Sequence, residues 1–251
     1  MTDQKIDKQD IVIVWLKRDL RFTDHEPLYV AQQQALPVLL VYCFEPSVMN
    51  YADSDTRHWR FVYQSLQDMQ SKLVDLNSQV YVFHDEVATV FQKIAHRYRI
   101  HTIFSHEEIG NKITFDRDLE IKKFCIENDI VWSEFQHNGV IRRLQSRNNW
   151  TQLWKAKMKA LPQLVEEQNW NFLAFDIDLY QKIKGCDLSL EITTADINFQ
   201  PGGETFAWKY LQSFLNERYV NYSKHISKPA LSRKGCSRIS PYLSYGNISM
   251  R

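Results

Sequence analysis

The side chains best equipped for chemistry gather near the end of the chain. Between Lys234 and Arg251, the short donors Cys236, Ser237 and Ser240 flank Arg238, and Pro241 stands where a helix could start. Backbone N–H groups, small hydroxyls and a cation at one helix entrance are a physical recipe for holding phosphate. The same residue types also cap a helix on a serine-rich turn, so this run alone leaves two readings open. A second concentration, Lys17–Pro27, has three cations and three acids. It reads either as the edge of a ligand site or as a structural ion-pair network. No GxGxxG and no GKS or GKT occurs, which disfavours nicotinamide and P-loop nucleotide sites. The four cysteines, Cys43, Cys125, Cys186 and Cys236, form no CxxC pair. Neither a zinc site nor a disulfide framework is expected from them, and no residue is assigned to metal binding or catalysis.

The elements that must position these groups alternate. Ile11–Leu16 and Pro37–Phe44 are continuous apolar runs rich in β-branched residues, the pattern of strands buried on both faces. Val80–Phe83, Thr102–Phe104 and Val131–Phe135 are shorter copies. Val62, Leu66, Met69 and Leu73 form one helical stripe, predicting a helix over 56–76. Val87, Val90, Phe91 and Ile94 form another after Asp85, and a charged helix is expected over 113–128. Five repeats of strand and helix predict an α/β domain over 1–136, a doubly wound five-stranded parallel sheet. In such sheets ligands sit beyond the carboxyl ends of the strands, where the Lys17–Pro27 loop lies.

The alternation stops over 137–202, which reads as an interdomain linker wrapping a surface. It carries Arg142, Arg143, Arg147, Trp150 and Trp154, and a helix is expected over 151–160. After Pro201–Gly203, residues 203–251 read as the beginning of a helical domain. Its first helix is expected over 204–218, with Phe206, Ala207, Tyr210, Leu211, Phe214 and Leu215 inward.

With 251 residues, 44% hydrophobic and 24% charged, the composition is that of an ordinary globular protein. The net charge of +1 hides an asymmetry: residues 203–251 hold eight basic and two acidic side chains, leaving the rest mildly acidic. A polyanion partner is therefore expected at the C-terminal end. No apolar run reaches the ~20 residues of a membrane span. The polar start Met1–Lys5 has no secretory core, so a cytoplasmic location is expected.

Taken together, three segments resemble the photolyase and cryptochrome family. They are Trp15–Asp24; Asn138–Arg143 with Trp150, Trp154 and Met158; and Gly203–Ala207 with Tyr222 and Cys236–Ser249. The resemblance implies an α/β antenna domain, a linker and an all-helical domain that holds FAD. The residues it implies as FAD contacts are Tyr222, Cys236, Ser237, Arg238, Ile239 and Ser240. It implies a blue-light-driven repair lyase that splits pyrimidine dimers in damaged DNA by electron transfer from FAD. The alternative is a cryptochrome-type blue-light signalling receptor without repair. Cys236 stands where many photolyases have Thr, a weaker donor, and Lys17 stands where an Arg is usual. Ile113–Thr114 occupies the place of the Asn-Glu of folate-binding relatives, so no antenna chromophore is assigned. The family's helical domain normally continues beyond the serine-rich motif. The chain is therefore expected to be a truncated piece, inactive by itself, that retains little FAD. Apolar surface on the 204–218 helix and around Tyr242–Leu243 is expected to be exposed and to promote self-association. The seven tryptophans are expected to be core or linker packing residues.

Overall fold

The computed structural model describes residues 8–166 and 170–251. The β-branched runs form strands β1 (Asp10–Trp15), β2 (Val38–Cys43), β3 (Val80–Phe83), β4 (Arg99–His106) and β5 (Val131–Phe135). All pairings are parallel, and the order is β3-β2-β1-β4-β5. The expected doubly wound α/β sheet is thus present, and its strand order reverses at β1, between β2 and β4. Helices α1 (Glu26–Gln32), α2 (Thr56–Leu73), α3 (Val87–Arg97) and α4 (Lys112–Glu127) cover it.

Successive residues of β1 point to opposite faces, and both faces are buried. Ile11, Ile13 and Trp15 meet Val90, Phe91 and Ile94 of α3 and Ile121 and Phe124 of α4. Val12, Val14 and Leu16 meet Leu28 and Ala31 of α1 and the Val62, Leu66, Met69 stripe of α2. Each such side chain contributes about 1.5–3 kcal/mol by leaving water. Asp55 caps α2 by accepting from the Arg57 N–H at 2.9 Å. The α-helix ends at Leu73, the last member of its apolar stripe, and the remainder of the expected 56–76 tightens to a 3-10 turn over Val74–Leu76 that stops at Asn77, in the left-handed region with φ 48°.

The linker contains α5 (Trp150–Lys159) and α6 (Ile177–Ile183). It does more than wrap a surface. Phe172 bridges Val38, and Leu173, Phe175 and Ile183 enter the core layer beneath β2 and β3. Leu173 and Phe175 alternate over only three residues and Ile183 lies eight further on, too short a pattern to mark a strand, so the sequence conceals this return to the core.

The last segment holds α7 (Glu204–Asn216), α8 (Pro229–Gly235) and α9 (Ser240–Ser244). Helix α7 stops before Arg218, which opens a 3-10 turn over Arg218–Asn221. Ala207 is buried, and Phe206, Tyr210 and Leu211 pack on a cluster of Phe61, Tyr242 and Ile248. Leu215, expected inward, is 58% exposed. The expectation of exposure at Tyr242 is corrected in the other direction. Its ring is fully buried 5.2 Å from Phe61, and its hydroxyl donates to the Pro201 carbonyl at 2.8 Å. Helix α2 supplies the partner that the sequence around Tyr242 does not reveal.

Candidate functional site

The loop after β1 is a buried network. The Lys17 N–H donates to Asp19 Oδ1 at 2.7 Å, and His106 Nδ1 donates to Asp19 Oδ2 at 2.6 Å. His25 Nε2 lies 3.0 Å from the same oxygen, off the direction of a good hydrogen bond. Burial works to raise the Asp19 carboxyl, yet the two imidazoles outweigh it and hold the group well below the usual carboxylate range. These three side chains are close enough to share a metal ion. The proton inventory argues against that use. His25 Nδ1 accepts the Leu28 N–H, so its single ring proton sits on Nε2, the atom a metal would need bare. The cluster therefore reads as a lock on the loop.

The same loop joins the two ends of the chain. Arg21, 2% exposed, donates to the carbonyls of Thr23, Asp24 and Gly246. Asn247 donates to the Leu20 carbonyl at 2.9 Å, and Glu204 accepts from the N–H groups of Phe22 and Thr23. Asp24, buried with φ 54°, pairs with Arg251. The segments Trp15–Asp24 and Gly203–Ser249, distant in sequence, thus form one seam. Gly246 has φ 67°, and a Cβ on it would fall 2.1 Å from the Arg18 carbonyl.

Beside this seam a cleft of about 470 Å³ opens beyond the carboxyl ends of β1 and β2. Trp15, Cys43, Trp59 and Glu108 line it on the sheet side, and Ser240 and Tyr245 on the α9 side. Its floor is a charge network. Arg117 reaches Glu45 at 2.8 Å, Glu108 at 2.7 Å and Asp118 at 2.9 Å, while Lys17 reaches Asp118 at 3.0 Å. Burial raises the Glu45 carboxyl against the pull of Arg117, and burial lowers the Lys17 ammonium. The Lys17 ammonium and Arg117 guanidinium lie 4.3 and 4.8 Å from the Trp15 ring centre, a cation–π arrangement sheltered from water. Arg117, Glu45 and Asp118 carry no motif. Only their position beyond strand ends could have marked them.

The serine-rich run takes a specific shape. Cys236 follows α8, Arg238 is left-handed at φ 60°, and Ile239 is right-handed at φ −87° before α9 begins at Ser240. Alternating hands turn successive N–H groups to one concave side. Among the described residues, the N–H groups of Ser237, Arg238 and Ile239 have no recorded acceptor. Arg218, which sequence reasoning missed, donates to the carbonyls of Tyr210, Cys236 and Ser237, and so fixes the turn from behind. Its only sequence mark is a cation after a helix. Ser240 alone of the run faces the cleft beyond β1. Tyr222 is 40% exposed at the start of a short turn, Tyr222–His225, with its ring 5.8 Å from Phe214. Among the described residues, no hydrogen bond or ring contact ties it to Cys236–Ser240.

Known proteins share this fold. The cryptochrome DASH of Synechocystis sp. is 23% identical over 96% of this chain and 53% of its own length. The deoxyribodipyrimidine photo-lyase of Synechococcus sp. is 21% identical over 96% and 52%. The chain thus spans about half the length of these curated relatives. Among solved structures, a photolyase from Sulfolobus tokodaii, described with two FAD molecules, has a TM-score of 0.70 at 22% identity and covers 97% of this chain and 53% of its own. A cryptochrome from Synechocystis sp. reaches 0.73 at 20% identity over 96% and 54%. At such identities the structures show the shared fold. A family model described as DNA photolyase matches residues 12–167, from β1 through the whole sheet into the linker, and the chain accordingly belongs to the DNA photolyase family.

Proposed function

We propose that the chain belongs to a blue-light-absorbing flavoprotein and that Cys236–Ser240, with Tyr222, seats FAD. The observation that carries this reading is the concave turn with three unpartnered N–H groups at Ser237, Arg238 and Ile239. Such a turn suits a diphosphate. Arg218 draws the Cys236 and Ser237 carbonyls away from that side, removing dipoles that would repel an anion. The Ser237 hydroxyl and the Arg238 guanidinium add donors, Cys236 adds a weak one, Ile239 contributes through its backbone, and Ser240 opens the helix that follows the turn. When bound, FAD supplies electron transfer driven by light. The residues here orient its phosphates.

In the whole protein this activity is repair of pyrimidine dimers in damaged DNA, for which the basic balance of residues 203–251 is support. Relatives named as cryptochromes match equally long stretches, which favours keeping light signalling as the second reading. The cleft beyond β1, walled by Trp15 and Trp59, suits a second planar chromophore that collects light. No helix among the described residues is long and apolar enough to cross a membrane.

Dialysis against FAD and riboflavin tests the seat. Weak binding with a clear preference for FAD is expected, because this chain provides the phosphate end, and Arg218→Ala should abolish the preference. Equal affinity for riboflavin would refute it. For the whole protein, loss of dimers under blue light supports repair, and a light-dependent protein partner without dimer loss supports signalling.

A further inference from the structure

A second cleft, of about 760 Å³, is built entirely from the linker and the chain's end. The arc Asn138–Leu144 forms one wall, the first turns of α5 another, and Met250 closes a side. It shares no lining residue with the cleft beyond β1 or with the 236–240 run.

Two features define what would fit it. Trp150 and Trp154, one helical turn apart, present rings 6.2 Å apart and tilted by 32°. Trp154 is set against Gly139, where a Cβ would come within 2.3 Å of the indole, while Trp150 stays 40% exposed. The second feature is charge. Residues 137–160 contain six cations and no acid. Arg142 is occupied by Glu107 and Glu134, and Lys157 by Glu26. Arg143 and Arg147, both exposed and both lining the cleft, have no recorded carboxylate partner among the described residues. Arg143 holds φ 58°. No carboxylate lines this cleft.

We infer that the linker cleft binds a nucleotide unit, a planar base on the tryptophans with its phosphate on Arg143 and Arg147. An apolar partner helix would bury both guanidinium groups without a counter-charge, and a non-aromatic polyanion would leave the indoles wet. Base stacking and phosphate pairing together satisfy both. The unit comes either as a free nucleotide or as one residue of a single strand.

Titration of the full chain by tryptophan fluorescence tests this, using adenosine monophosphate, an oligothymidylate of about eight residues, adenosine and inorganic phosphate. Both nucleotide probes, or the oligothymidylate alone, are expected to bind at least about tenfold more tightly than adenosine or phosphate. Trp150→Ala should weaken binding about tenfold. The Arg143→Gln, Arg147→Gln double variant should do likewise and lower the log–log salt slope of the oligothymidylate by about 1.4. All three positions are exposed, so circular dichroism should be unchanged. Equal affinity of the two nucleotide probes assigns the site to free nucleotides, and tighter oligothymidylate binding assigns it to a strand. Binding that survives both variants, binding of phosphate as tight as that of nucleotide, or no nucleotide binding would overturn the assignment.

Discussion

Asp19 shows how one carboxylate organises a loop. It is fully buried between two imidazoles, and removing it leaves their donors facing a void. Asp19→Ala should cost about 1–3 kcal/mol in urea unfolding for each buried donor it leaves without an acceptor. The neighbouring histidines set a pH dependence. Burial holds His106 well below its ordinary value despite its bond to Asp19. Burial, with Arg21 nearby, brings His137 to about 4. The unfolded chain takes up protons at these rings as the pH drops past about 6.5, and the folded chain does not. The melting temperature should therefore be highest above that pH and decline towards pH 4. His137→Gln should make the decline shallower, and an unchanged profile would contradict the assignment. The cysteines offer a simpler check. Burial raises the Cys43 thiol, and it lifts Cys125 to about 12, whereas Cys186 is exposed. At neutral pH an alkylating reagent should label Cys186 well before Cys43 or Cys125, as peptide mass mapping would show.

At the scale of elements, the strands were legible because β1 and β2 are buried on both faces, and continuous β-branched runs admit few other fates. Helix α2 was legible from its stripe, though its change to a 3-10 turn after Leu73 was not, because that tightening carries no apolar mark. The return of the linker to the core was not legible. Leu173 and Phe175 are buried by what β2 and β3 bring to them, which local pattern cannot encode. The serine-rich turn was visible as residue types, whereas its concave shape depends on Arg218, eighteen residues before Cys236. Gly246 tests how tightly the seam is built. Gly246→Ala places a methyl group against the Arg18 carbonyl at a left-handed position, and should cost about 2 kcal/mol or more. A neutral result in thermal melting would mean that the seam is loose.

For the whole molecule, exposed apolar groups collect at the end of α7 and just after it. Leu215, Tyr219, Val220 and Ile226 are each about half exposed or more. Sedimentation should show concentration-dependent self-association, and Leu215→Lys with Val220→Lys should suppress it. A monomer at every concentration would remove that expectation.

The seam also sets an order of events during synthesis. Arg21 donates to Gly246, 225 residues later, and Asp24 waits for Arg251. At roughly 5–20 residues per second, the ribosome needs on the order of ten to forty-five seconds to deliver these partners. Until then the loop after β1 holds charged groups whose partners do not yet exist. The sheet can assemble early, since its strands end at Phe135, but its ligand-facing rim is completed only when Gly246 and Arg251 leave the exit tunnel.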